Sequence, residues 1–244
     1  MSLYLLIVVV FLFSIIHFFE FLSFYSRIAG IRTDNRLISY SLQQTTFVGT
    51  RFFFIFLMPI LGFIVDSKVS KNTYLIMVIF SLIFASISYL FAYCIRDKII
   101  FFFNNVIEEY NKNTGYLKSI LKSIYKVLFL SSTNGEKVKE LEGVINKKMV
   151  ILSALIFCSY SIAVFLSFYF SLVFYEYRST ISQLSGVINA FATLILTLYI
   201  EPGISRSIDK KLINAEYDVY SLLLGRFLGV AILSPIIVIL VGLI

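Results

Sequence analysis

Histidine is almost missing from this chain: His17 is the one copy among 244 residues, and cysteine is limited to Cys94 and Cys158. A single histidine cannot furnish a zinc site or a histidine-centred catalytic cluster without partners the sequence does not offer. The two cysteines lie far apart, each in or beside an apolar run, and imply no disulfide framework. Charge is scarce as well, at 14% of residues. The acidic residues form no paired-aspartate motif of the kind that holds Mg²⁺ on a pyrophosphate, and neither a Walker loop nor a nucleophile elbow occurs. Neither an enzyme nor a cofactor is expected. Any transport must draw on a gradient, the membrane potential or downstream consumption of the product.

What fills the chain instead is apolar and aromatic: 59% hydrophobic residues, 26 Phe, 16 Tyr and a mean hydropathy of +0.91. A soluble domain of this composition would lack polar surface, so the sequence predicts an all-α integral membrane protein. Six runs reach the roughly 20 residues needed to cross hydrocarbon: 3–25, 37–65, 73–95, 149–175, 181–200 and 219–244. Helices follow because backbone groups in lipid must bond internally. The first run lacks a basic lead-in and a small-residue cleavage site, which predicts a retained span.

Basic residues are distributed unevenly. Arg27, Arg32 and Arg36, then ten Lys and Arg in 96–148, then Arg206, Lys210 and Lys211 fall in the loops on one side, sixteen in all; Lys68, Lys71 and Arg178 fall on the other. The positive-inside rule then places both termini outside and the 96–148 loop in the cytoplasm. The net charge of +7 reads as orientation and contact with anionic lipid, not as nucleic-acid binding. Within that loop, Ile99, Ile100, Phe103, Ile107 and Tyr110 continue the third helix. Leu117, Ile120, Leu121, Ile124 and Leu128 recur at helical spacing with Lys118, Lys122 and Lys126 on other faces, which suits a helix lying on the membrane surface or a small cytoplasmic hairpin. "SSTNGEK" at 131–137 reads as a turn before a short charged helix.

Three spans precede the loop and three follow it. An offset of 143 residues matches Ser39 with Ser182, Thr50 with Thr193, Pro59 with Pro202 and Asp66 with Asp209. A 3+3 inverted repeat, a common transporter architecture, is compatible with these four matches but not required by them.

A few polar residues stand inside the spans. Arg51 is at the centre of span two, where an arginine costs about 2.5 to 3.5 kcal/mol on insertion scales and so marks a candidate site. Gln43, Gln44, Thr45, Thr46 and Thr50 share that helix, so it must line a polar interior. Arg226 lies inside span six, and Glu20 and His17 at comparable depth in span one; Arg226 reads either as a snorkelling or Glu20-paired structural residue or as a second cation for an anion in transit. His17 reads as a hydrogen-bonding residue. Gly186 and Asn189 share a face of span five, where close helix packing is the simpler reading, and Pro202 and Gly203 are expected to stop that helix.

Four stretches, "SRIAGIRT" (26–33), the arginine-bearing span two ending in "PILGFIVD" (59–66), "QLSGVINAFATLILTLYIEP" (183–202) followed by "ID", and "LGRFLG" (224–229), together resemble the Amj family of bacterial lipid II flippases. The resemblance implies a multi-pass protein of the bacterial cytoplasmic membrane that moves the undecaprenyl-pyrophosphate-linked peptidoglycan precursor from the inner to the outer leaflet, with lipid II or a related undecaprenyl-linked saccharide and membrane lipids as its partners. By position it carries over Arg27, Gly30, Arg32 and Thr33; Arg51, Pro59, Gly62 and Asp66; Gly186, Asn189, Glu201 and Pro202; and Gly225, Arg226 and Gly229. An anionic pyrophosphate suits arginine, whose planar fork donates two hydrogen bonds at once. The expected substrate residues are Arg27, Arg32, Arg51, Arg226, Glu20, Gln43 and Asn189. Arg27 and Arg32 would capture the anion, with Gly30 letting the loop backbone close on a phosphate, and Arg226 or Arg51 would receive it. Two alternatives stay open: another undecaprenyl-linked cargo of the O-antigen or teichoic acid type, and a membrane scaffold that transports nothing.

Overall fold

The structure, a computed structural model, describes residues 3–129 and 143–243. Among the described residues, six helical stretches are long and apolar enough to cross a membrane, and the chain is a multi-pass membrane protein. The first is α1 (Leu3–Ser23) continued by α2 (Tyr25–Arg32); α3 (Arg36–Asp66) and α4 (Lys71–Cys94) complete the first half. The second half contains α7 (Lys147–Val173), then the series α8 (Arg178–Ser182), α9 (Leu184–Ile195) and α10 (Glu201–Asp209), then α11 (Ala215–Leu228) running into α12 (Ser234–Gly242). Between the halves, α5 (Arg96–Asn111) and α6 (Tyr116–Phe129) form a hairpin packed on α2 and α3. The turn predicted at 131–137, the charged helix after it and the Leu128 side chain lie outside the described residues.

Local sequence sets these limits. Ser70 caps α4 by accepting the Thr73 N–H (3.2 Å), and Asn146 caps α7 by accepting that of Met149 (3.2 Å), each filling one of the donors a helix start leaves open. Asp34, Lys68, Asn113 and Lys211 take positive φ in the tight turns joining the helices. At 31 residues α3 is about 46 Å long, well beyond a 30 Å hydrocarbon core, so it must tilt or protrude.

In each half the first long helix packs against both of the others: α1 on α3 and α4, α7 on α9 and α11. Helices α3 and α10 end at Asp66 and Asp209, the pair that the 143-residue offset matches. The halves meet where α3 and α4 pack on α7 and α4 packs on α12; the Tyr74 hydroxyl of α4 donates to the Phe165 carbonyl of α7 (3.0 Å), and the Phe13 ring of α1 reaches the Phe165 ring at 4.6 Å. Lipid offers apolar surface as readily as a neighbouring helix does, so association rests on close fit. Gly225 and Gly229 supply it. A Cβ on Gly225 would stand 2.4 Å from the Val150 carbonyl oxygen, and one on Gly229 2.4 Å from that of Ala154, so α11 lies backbone to backbone on α7. The "LGRFLG" string is a helix-contact motif around one arginine.

Two expectations need correction. Gly30 is not part of a loop that could fold around a phosphate. It is helical, and a Cβ there would meet Ser39 Oγ at 2.1 Å, so it is where α3 crosses α2. Nor does the fifth span stop at Pro202. A π-helical turn at Leu196–Ile200 leads directly into α10, and this wider turn accommodates a proline that lacks an N–H and crowds the preceding carbonyl.

Candidate functional site

A cavity of about 280 Å³ lies between α3 on one side and α9–α10 on the other, with α1 and α7 behind it. Its α3 wall presents Tyr40, Gln43, Gln44, Phe47, Arg51 and Phe54, a recurrence of three and four residues that keeps one helical face inward. The opposite wall presents Asn189, Thr193, Thr197 and Glu201, each four residues after the last. A four-residue step overshoots an α turn by about 40°, which would carry this stripe around the helix. The π turn at Leu196–Ile200 rotates less per residue and cancels part of that drift, so Thr197 and Glu201 still face the cavity. Arg51, Thr193 and Thr197 are exposed, so the cavity is open sideways, toward the surrounding lipid.

Charge in the cavity is unequally answered. Glu20 of α1 accepts from Arg226 Nη2, while Arg226 Nε donates to the Tyr89 hydroxyl (3.0 Å) and its guanidinium lies over the Phe157 ring at 4.4 Å. Arg226 is 1% exposed and does not line the cavity. Glu201 accepts from Arg27 Nη2 at 2.8 Å, and Arg27 Nε donates to Gln43. Arg27 is also excluded from the lining and stacks on Tyr40 at 4.3 Å. Each carboxylate at the cavity is thus neutralised by an arginine standing behind the wall. Arg51 is different. It is the central residue of α3, it lies near the Phe47 and Phe54 rings at 5.2 and 5.6 Å, and it makes no ion pair among the described residues. With both acids paired from behind, the cavity carries the net positive charge of Arg51. Asn189 adds a buried side-chain oxygen without a partner among the described residues.

Of the residues expected at the site, Arg51, Glu20, Gln43 and Asn189 line one cavity and Arg27 closes its end. Arg226 is separated from it by Glu20, and Arg32 is elsewhere: its Nε and Nη2 donate to the two Glu216 oxygens, both at 3.1 Å. Neither is placed to receive an anion from the cavity. Arg36 similarly reaches the α10 end, donating to the Asp209 carbonyl (2.6 Å), and Lys211 pairs with Asp34 at 2.7 Å. The Lys211 ammonium, with Arg36 second, holds the Asp34 carboxyl below its ordinary range. The arginine-rich stretch therefore clasps α2 and the start of α3 to the α10–α11 junction. His17 lines the cavity and its Nδ1 meets the Tyr89 hydroxyl, the hydrogen-bonding role expected of it. Gly186 makes no close packing contact; nothing lies within 4 Å of a Cβ built there. Sequence reading singles out Glu201 only through the family resemblance and gives Thr193 and Thr197 no role at the site, although the fourfold spacing of all three from Asn189 is visible in the sequence.

The cavity is thus laterally open and partly polar, holds a cation without an ion pair among the described residues halfway along α3, and is shut at its arginine-rich end by an ion pair. Residues 12–242 match the sequence model of a family described as Amj, alternate to MurJ. No curated protein and no solved structure matches the chain.

Proposed function

The chain belongs to the Amj family, and from that membership and the cavity's charge we propose that it is a lipid II flippase. It carries the undecaprenyl-pyrophosphate-linked peptidoglycan precursor from the inner to the outer leaflet of the bacterial cytoplasmic membrane, with both termini outside and the arginine-rich end in the cytoplasm. It acts as a transporter without catalysis. The observation that carries this reading is Arg51: an unpaired guanidinium halfway along α3, facing a cavity open to lipid. Moving a pyrophosphate head through hydrocarbon unaided is prohibitive. A sideways opening leaves the prenyl tail in the bilayer while the head uses the cavity. A scaffold has no need of an unpaired cation halfway along a membrane-spanning helix, which costs stability and gives nothing in return.

The ion pair Arg27–Glu201 and the clasp outside it shut the cytoplasmic end of the cavity in this conformation. Loading from the inner leaflet requires them to part, and Arg27 then becomes available to an anion. The test is rescue of growth in cells depleted of their principal lipid II flippase. The wild-type chain should restore growth and Arg51→Ala should not, at equal membrane abundance. Full rescue by Arg51→Ala would sink the mechanism, and no rescue by the wild type would redirect the cargo to another undecaprenyl-linked saccharide.

A further inference from the structure

On the face of the bundle away from the cavity, α4 and α11 separate at the arginine-rich end while α4 still contacts the π turn at Gly229–Leu233 and α12 at the other. The resulting groove has a volume of about 370 Å³ and a floor supplied by α1 and α2, a size ordinary for small-molecule sites. It is cut off from the cavity by Tyr89, whose ring lines the groove while its hydroxyl is taken up behind by Arg226 and His17.

The three walls share one gradient. Going inward from the arginine-rich end, the α5–α4 wall passes from Arg96 to Leu90, the α11 wall from Tyr220 to Leu224 and Phe227, and the floor from Tyr25 to Phe21. Each begins polar and ends apolar. At the polar end, the hydroxyls of Tyr25 and Tyr220 are buried with no hydrogen-bond partner among the described residues, and Tyr25 is 0% exposed. A buried hydroxyl without a partner is costly and rare, so two in one groove point to an absent acceptor. Arg96 stands beside them, over the Tyr93 ring at 4.3 Å and only loosely paired with the exposed Asp97 at 3.6 Å. Leu90, Tyr93 and Leu224 on the rim are exposed, so the groove is entered from the side.

We propose that this groove binds a glycerophospholipid of the adjacent leaflet. Its phosphate accepts from the Tyr25 and Tyr220 hydroxyls and from Arg96, and one acyl chain lies along Leu90, Leu224 and Phe227. Two donors and one guanidinium match a phosphodiester, which offers acceptors only and a single negative charge. The gradient sets the lipid with its head at the interface and its tail toward mid-membrane, as lipids of that leaflet already lie.

The site is tested on the full-length protein in detergent by native mass spectrometry, with dioleoylphosphatidylglycerol and dioleoylglycerol as paired probes. The two share their chains and differ in the phosphate headgroup. The phospholipid should remain bound as a one-to-one adduct and the diacylglycerol should not. Arg96→Gln with Tyr220→Phe should weaken the adduct roughly a hundredfold, the worth of a charge-assisted hydrogen bond and a neutral one. Tyr220→Phe alone removes only an unpartnered hydroxyl and should fold normally while weakening the adduct less. Arg51→Gln, in the separate cavity, should leave it unchanged. Equal retention of the diacylglycerol, an adduct indifferent to the double substitution, displacement by millimolar inorganic phosphate, or preference for an undecaprenyl pyrophosphate would each overturn the assignment.

Discussion

Arg226 donates to Glu20 from outside the cavity that Glu20 faces, so the carboxylate is presented to the cavity with its charge already answered. That arrangement makes Arg226 a partner of Glu20 and not a station for an anion. Removing one member of a buried ion pair leaves the other uncompensated, at a cost of about 3 to 5 kcal/mol, whereas neutralising both costs far less. Arg226→Ala should therefore lower membrane abundance and thermal stability sharply. Glu20→Gln combined with Arg226→Gln should recover much of both. A double variant as unstable as the single one would show that Arg226 matters for something other than Glu20.

Arg51 makes the opposite prediction because nothing among the described residues pairs with it. Its charge costs stability where it sits, so Arg51→Ala should leave thermal stability in detergent unchanged or slightly raised while abolishing transport of a labelled lipid-linked pyrophosphate in liposomes. Arg51→Lys keeps the charge but loses the two-pronged geometry, and should retain part of the activity. Loss of stability and activity together in Arg51→Ala would mark the residue as structural.

These two arginines show where sequence reading carries and where it stops. The six spans, the helical character of the segment between the halves and the polar face of α3 all follow from hydropathy and periodicity, because the bilayer imposes its length and its demand for internal hydrogen bonds on any sequence; that α5 and α6 pair as a hairpin does not. Depth also singled out both Arg51 and Arg226 as unusual. What depth could not give is rotation about the helix axis, which faces one arginine into the cavity and the other into a carboxylate behind it. The same limit applies to Arg32. As a sequence neighbour of Arg27 it invites the same role, yet a helix turns about 100° per residue, and five residues on it points to Glu216 on the opposite half. The stripe from Asn189 to Glu201 was legible in spacing, but its alignment depends on the π turn, which no propensity reveals.

The clasp at the arginine-rich end carries its own expectation. Arg32–Glu216, Arg36–Asp209 and Lys211–Asp34 are partly or well exposed, and each such pair contributes about 0 to 1 kcal/mol. Three of them hold a closed end without making its opening prohibitive. Glu216→Ala should change thermal stability by no more than about 1 kcal/mol. Cysteines at Arg32 and Glu216, in a chain whose exposed Cys94 has been replaced, should bind a reducible thiol cross-linker that stops transport in liposomes. Reduction should restore it. Transport at the normal rate with the clasp cross-linked would show that this end need not open.

Three glycines of the second half, Gly186, Gly225 and Gly229, offer the sharpest contrast between positions that look alike in the sequence. All three sit in apolar helical stretches, and close packing is the ordinary reading of each. A methyl group at Gly225 or Gly229 would stand 2.4 Å from a backbone oxygen of α7, whereas one at Gly186 would meet nothing. A backbone carbonyl cannot rotate aside as a side chain can, so α11 must move off α7 to admit the methyl, and Arg226 moves with it away from Glu20. Gly225→Ala and Gly229→Ala should each cost about 1 to 3 kcal/mol, the usual range for overpacking, and reduce membrane abundance. Gly186→Ala should be neutral or slightly stabilising, because alanine favours a helix by about 1 kcal/mol over glycine. The loss at Gly225 should also be partly hidden in a Glu20→Gln, Arg226→Gln background, where the ion pair that the displacement breaks is already gone. Additive losses in that background would mean that the contact with α7 and the pairing of Glu20 are independent.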